Sequence, residues 1–269
     1  MLYFIFTVDG DWDEYFDRRL SEKERAPDEQ KLLGLIDQEI QLASSALGGR
    51  FMHFVHTSPR ARDFFLQPEF VARWKKIESK GGNVGVHCHE DDPGRAYFFD
   101  EQAKMEAAIG FLAGKLAKNG LKPLAFRGGY MTFSPKTIPI LEDNGIFLDL
   151  SCDPGRFQRH GELLVSDWRG APDNFYRMSY DDHRLPGTSN VFEVPLGIYI
   201  ETQSLFRIWL KARELRKRRG DVIVSVLAHS YDFAHPRMVL KIKLALQILK
   251  RYGTFINAQQ ALEMIARGG

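Results

Sequence analysis

Short runs rich in β-branched and aromatic residues alternate with longer amphipathic stretches along the chain, and few architectures accept that order. Apolar runs at 2–7, 51–56, 83–87, 124–127 and 147–150 read as buried strands, and others follow at 191–195, 222–229 and 254–257. Between them lie helical patterns. Asp28 caps a segment in which Leu32, Leu33, Leu35, Ile36, Ile40 and Ala43 recur near the 3.6-residue period, closed by Gly48 and Gly49. Pro68 opens a second, with Phe70, Val71, Trp74 and Ile77 on one face. Further helices fit 101–118, 134–144, 204–218, 236–251 and 258–266. Strand and helix in alternation imply a parallel sheet covered by helices. About eight strands without a linker favour an α/β fold of barrel type: a distorted (β/α) barrel of seven to eight parallel strands forming one domain, 1–269. The exception is an insertion between about 153 and 190, rich in Gly, Pro, Asp and Arg and too long for an ordinary βα connection.

Composition excludes several classes. The apolar fraction of 44% and charged fraction of 27% suit a globular domain. No stretch approaches the roughly 18 apolar residues of a membrane helix. The apolar start of the chain lacks a basic leader, so it reads as a first strand rather than a signal peptide. Two cysteines, Cys88 and Cys152, make no disulfide framework, and a reducing cytoplasm is the expected location. A net charge of +2 without aromatic-interleaved basic motifs points to no nucleic-acid partner, and no obligate protein partner is evident. The basic cluster of Lys211, Arg213, Arg216, Lys217, Arg218 and Arg219 reads as a solvated helix end, or as a weak contact with a membrane or anionic glycolipid.

Polar residues gather just past the predicted strand ends, where a βα barrel builds its active site. Asp9 and Asp11 share a face by the period-two rule, and two such carboxylates repel unless a cation lies between them. In isolation the pair would equally serve a helix-capping turn. His87 and His89 share a face in the same way, and two imidazoles beside a carboxylate are ligands a zinc-like ion accepts; alone, they would equally be hydrogen-bonded, partly buried histidines. After the fourth strand come Arg127, Gly128, Gly129 and Tyr130, a turn or a backbone approach to a ligand. His229 ends the strand 222–229 at a position suited to a general acid, with Asp232 near enough to orient it.

In order and spacing these segments resemble the polysaccharide deacetylases of the NodB-homology superfamily, carbohydrate esterase family four. Thr7-Val8-Asp9-Gly10-Asp11 is similar to the first family motif, which implies Asp9 as general base and Asp11 as metal ligand. His87-Cys88-His89 stands for a motif whose histidines are four apart; here they are two apart, and Asp91 occupies the four-residue position as an alternative ligand. Arg127-Gly128-Gly129-Tyr130 resembles Arg-x-Pro-Tyr, implying that Arg127 holds Asp9 and that the Tyr130 amide serves an oxyanion site. Asp149 lies where the fourth motif would, without its tryptophan, and is a candidate for orienting the acid. Leu227-Ala228-His229 is similar to the fifth, implying His229 as acid.

The resemblance implies a divalent metal ion, zinc or another transition metal, held by Asp11, His87 and His89, and hydrolysis of an N-acyl group on an amino sugar. Trp168, Tyr176 and Tyr180, in the insertion, are read as a lid folded over the mouth, with a local core of the insertion itself as the alternative. Such a lid favours a small or terminal glycan substrate, such as an O-antigen chain end or its precursor in lipopolysaccharide biosynthesis. The alternatives are a cyclic-amide or ureide hydrolase on the same barrel and a non-catalytic sugar-binding relative.

Overall fold

The computed structural model describes residues 1–12, 27–59, 61–89 and 101–268. Strand β1 (Leu2–Asp9) is followed by helix α1 (Glu29–Leu47), β2 (Met52–Thr57), α2 (Pro68–Ser79), β3 (Asn83–Cys88), α3 (Gln102–Lys118), β4 (Ala125–Gly128), α4 (Thr137–Asp143) and β5 (Leu148–Asp149). The insertion contributes β6 (Phe157–His160), β7 (Leu163–Asp167) and β8 (Tyr176–Arg177). Then come β9 (Phe192–Glu193), β10 (Leu196–Tyr199), α5 (Leu205–Arg216), β11 (Val222–His229), α6 (Pro236–Leu249), β12 (Thr254–Phe255) and α7 (Ala258–Gly268). The helices stop where the sequence stops them. The Asp28 side chain accepts from the Lys31 amide at 3.1 Å at the start of α1, Gly48 ends it in the left-handed region at φ 62°, and Pro68 opens α2.

The main sheet runs β10-β11-β1-β2-β3-β4-β5-β9-β8, with the short β12 also on β1. Every ladder is parallel except β8 with β9. β9 and β10 are separated only by Val194 and Pro195, and run parallel to β5 and β11 respectively. They are two halves of one extended run. Its first half stays on β5, with the Val194 amide on the Asp149 carbonyl at 2.8 Å and the Leu196 amide on that of Cys152 at 2.7 Å. Its second half takes up β11, whose Ser225 amide donates to the Pro195 carbonyl at 2.9 Å. Pro195 has no N–H to offer the ladder, and the hand-over falls there. The result is a distorted parallel barrel of seven strand positions, curled around its own interior.

Side chains alternate across this wall with period two. On β1, Leu2, Phe4, Phe6 and Val8 pack outward under the helices, while Ile5 points inward to a second cluster with Met52, Phe54, Ala125, Leu148, Ile223 and Ile256. That cluster is the apolar floor of the barrel. Above it the inward positions turn polar: Thr7, Arg127 and Ser225 are fully buried there, while the equally buried Asp149 and Glu193, in register with Phe126, face the outer side of the wall. The inward positions at the strand ends then supply the site. Cys88 faces outward into the helix-covered core.

Within the insertion, β6 and β7 form an antiparallel hairpin whose pairing continues through Trp168 to Arg156 at 2.8 Å and Gly155 to Trp168 at 3.1 Å. In the basic cluster, Arg218 is paired with Asp173 at 2.6 Å and Arg213 lies over the Trp209 ring.

Candidate metal centre and active site

At the mouth, Asp11 stands among imidazoles from two neighbouring strands. Its Oδ1 lies 3.1 Å from His87 Nε2, 3.3 Å from His89 Nε2 and 3.8 Å from His56 Nδ1. One ligand atom from each of Asp11, His56, His87 and His89 falls within 4.8 Å of the others, and all three histidines are buried. Register explains the convergence: His56 of β2 pairs directly with His87 of β3, so both rings leave the sheet at one level. His56 was not among the ligands expected from sequence. Asp91, the alternative second ligand, lies outside the described residues.

The donor set suits a divalent transition metal, with imidazole nitrogens and one carboxylate around a common point. His87 Nδ1 donates to the Arg127 carbonyl at 2.8 Å, which fixes the ring and turns Nε2 toward Asp11. Burial opposes the charge on Asp11, but His89 and His87 outweigh it and hold the carboxyl well below its ordinary range. Burial likewise opposes the charge on His87, yet Asp11 and Asp9 raise its pKa. His56 is shifted the other way, well below the ordinary histidine value, by burial and then by the neighbouring His89.

Asp9 sits one inward position below Asp11 on the chain and is held separately. Arg127 Nη1 donates to Asp9 Oδ1 at 2.6 Å and to Thr7 Oγ1 at 2.9 Å, while Nε donates to the Leu150 carbonyl at 2.8 Å. The guanidinium lies 4.8 Å over the Phe54 ring. A fully buried arginine with these partners is fixed, and it fixes Asp9. After it the chain turns sharply: Tyr130 and Met131 both adopt the left-handed region, at φ 56° and 61°. Side chains other than glycine cost about 1–3 kcal/mol in such sparsely populated conformations. The turn is braced by Trp168, whose indole N–H donates to the Met131 carbonyl at 2.8 Å. Gly129 completes it by close approach, because a Cβ there would lie 2.7 Å from the His89 ring.

Across the mouth, His229 pairs in register with Asp9, and its Nε2 lies 3.8 Å from Asp11 Oδ2. Its Nδ1 faces Glu201 Oε2 at 3.5 Å and the Tyr231 hydroxyl at 3.1 Å. Tyr231 and Tyr199 both donate to Glu201 Oε2, at 2.8 and 3.0 Å. Burial opposes the charged imidazole, but Glu201, Asp11 and Asp9 raise the pKa of His229. Glu201 in turn is drawn down to about 2, first by His229.

Two expected partners of this histidine stand elsewhere. Asp232 accepts from the His229 backbone N–H at 3.0 Å and caps the following turn rather than touching the ring. Asp149 accepts from Ser151 Oγ at 2.7 Å and hydrogen-bonds to Glu193 on the outer side of the wall. The carboxylate on the imidazole is Glu201, at the end of the strand run that Pro195 interrupts.

The three aromatics expected to cover the mouth are also placed differently. Trp168 is fully buried, packed beside Phe133 and His183. The Tyr176 hydroxyl donates to the His183 carbonyl at 2.7 Å, and the exposed Tyr180 donates to Glu142 at 2.9 Å. The cavity, about 250 Å³, is lined by Asp9, Asp11, His87, His89, Gly128, Tyr130, Met131, Arg156, Tyr199, His229 and Tyr231. The insertion reaches it through Arg156, at the base of the hairpin that Trp168 anchors.

No protein-family model and no curated protein matches the chain. Solved structures do. It is similar to a protein assigned as a polysaccharide deacetylase from Pseudomonas aeruginosa PAO1, at 9% identity and TM-score 0.64, covering 99% of this chain and 91% of that one. It is similar to one assigned as a glycoside hydrolase/deacetylase from Parabacteroides distasonis, at 13% identity and TM-score 0.63, covering 99% and 71%. A third, assigned as a polysaccharide deacetylase from Mycobacterium smegmatis, matches at 14% identity and TM-score 0.62, covering 99% and 91%. The chain therefore has the distorted-barrel fold of the polysaccharide deacetylases, the fold that its sequence motifs resemble.

Proposed function

We propose that the chain is a metal-dependent hydrolase that removes an N-acyl group, acetyl in the simplest case, from an amino sugar of a surface polysaccharide or its precursor. The observation that carries this is the arrangement around one cavity. A carboxylate–imidazole cluster, an arginine-held carboxylate and a carboxylate-backed histidine converge within reach of a single bound group.

A divalent ion such as zinc, held by Asp11, His87 and His89 with His56 beside them, would lower the pKa of a water molecule and polarise an acyl carbonyl. Asp9, kept in place by Arg127, takes the proton of the attacking water. The left-handed turn at Tyr130 puts its backbone at the cavity wall, where its N–H stabilises the developing oxyanion, a contribution commonly of about 3–4 kcal/mol. His229, with Nδ1 turned to Glu201 and Tyr231, presents Nε2 to the cavity and protonates the departing amine. An amide leaves poorly without that proton.

The test is Asp11→Asn. It should retain the fold by circular dichroism, bind less zinc in equilibrium dialysis, and lose roughly a thousandfold or more in deacetylation of an N-acetylamino sugar. Full activity of the wild-type chain after exhaustive chelation, with no metal detectable by elemental analysis, would refute the reading.

A further inference from the structure

We infer that Arg156 makes this site selective for a substrate carrying an anionic group, a carboxylate or a phosphate, next to the acylamino sugar; this rests on the hydrolase reading above. Arg156 is the one arginine or lysine among the described residues that line the cavity. Its side chain is about a quarter exposed, and its Nε is buried with no hydrogen-bond partner. Nη2 donates to the neutral Gln158 at 2.5 Å, and Nη1 forms a long ion pair with Asp153 at 3.6 Å rather than a two-point grip.

Other arginines of the insertion are used differently. Arg169 grips Asp167 with Nε and Nη2 at 2.9 and 2.8 Å. Arg184 does the same to Asp182, at 2.9 and 2.8 Å. Those two guanidiniums have their forks filled. Arg156 lines the cavity with its fork incompletely used, while its backbone is locked into the hairpin pairing with Trp168. A buried unmade donor on a charged group is costly, and planar oxyanions are the ligands that an arginine fork satisfies best. Arg156 lines the same cavity as Asp11 and His229, so the anion belongs to the acylamino sugar itself or to its immediate linkage.

The experiment compares two probes on the metal-loaded enzyme, N-acetylglucosamine 1-phosphate and the neutral methyl N-acetylglucosaminide, with N-acetylmuramic acid as the carboxylate arm. Wild type should prefer at least one anionic probe over the neutral one by tenfold or more in kcat/KM, and the preferred arm distinguishes phosphate from carboxylate. Arg156→Met should reduce that ratio by tenfold or more through KM, and Arg156→Lys should restore part of it. Equal handling of all three probes by wild type, or a ratio unchanged in Arg156→Met, overturns the inference.

If no probe is turned over, the hydrolase reading fails separately, and calorimetric titration with glucosamine 1-phosphate and with muramic acid decides about Arg156. Binding of either that weakens tenfold in Arg156→Met supports an anion site. Binding of neither, or binding that is indifferent to the substitution, removes it. Thermal melting of each variant establishes that it is folded before any comparison.

Discussion

Glu201 shows how much of this site is set by a residue that does not line the cavity. His229 is buried, and burial alone would leave its imidazole neutral; the Glu201 carboxylate, with Asp11 and Asp9, reverses that. A general acid must carry its proton, so activity should fall as pH rises through the raised value. Glu201→Gln keeps the shape and removes the charge. The alkaline limb of kcat/KM should then move to lower pH by roughly one unit, with about a tenfold loss of activity above it, since each unit costs a factor of ten in the protonated fraction. The comparison is made on metal-saturated wild type and variant. An unmoved limb in a folded variant would mean that Glu201 only supports Tyr199 and Tyr231, to which it is also bonded.

Among the elements, the strand-to-turn junction after β4 couples two features that look like separate departures from the resembled motifs. The histidines at 87 and 89 are two apart rather than four, and glycine replaces proline at 129. The second departure accommodates the first, because the His89 ring fills the space over Gly129 that a Cβ would need. Gly129→Ala should therefore displace His89, costing about 1–3 kcal/mol in stability by overpacking and roughly tenfold or more in metal affinity. Denaturant melts and competitive chelator titration measure the two; unchanged affinity would show that His89 does not ligate.

The strands and helices were largely legible in the sequence, because apolar runs and 3.6-residue periodicity survive without tertiary context. That Arg127 holds Asp9 was legible only through the resemblance of their segments to the family motifs; the contact forms because both side chains point inward near the ends of their strands. His56 was not, because only the His56–His87 register shows that it reaches the cluster. Glu201 stayed hidden because Pro195 seemed to end a strand that in fact resumes through Leu196–Tyr199 on a different partner. The insertion was legible as a long irregular segment and no further. Trp168 and Tyr176 serve a local core while Tyr180 stays exposed, and the insertion reaches the cavity through Arg156, whose position depends on the hairpin.

For the whole molecule, the unusual quantity is the charge buried on the two faces of the barrel wall. Arg127 pairs with Asp9 on the inner face, and Asp149 and Glu193 lie together on the outer face of the adjoining strands, near enough to feel its charge, all buried. One cation among three carboxyls is tolerable only if a proton is shared. Burial and then Asp149 push Glu193 well above the ordinary carboxylate range, while burial raises Asp149 as well. Glu193 is thus the protonated member, donating to Asp149 and accepting the Cys152 amide at 3.1 Å. Because the folded pKa is raised, the folded chain binds more protons than the unfolded one between the ordinary value and the raised one. Stability from this pair is therefore complete below the ordinary carboxylate range and declines as pH rises through the folded value. Glu193→Gln retains a donor toward Asp149 and an acceptor for Cys152 but has no proton to lose, so the decline of urea midpoint from pH 5 to pH 8 should flatten. Glu193→Ala should instead cost about 2–4 kcal/mol at either pH, having left Asp149 and the Cys152 amide unmatched. Holding metal saturation constant separates this titration from that of the histidine cluster. A Gln variant whose midpoint still falls with pH as steeply as wild type would assign the dependence elsewhere and leave Glu193 ionised beside Arg127.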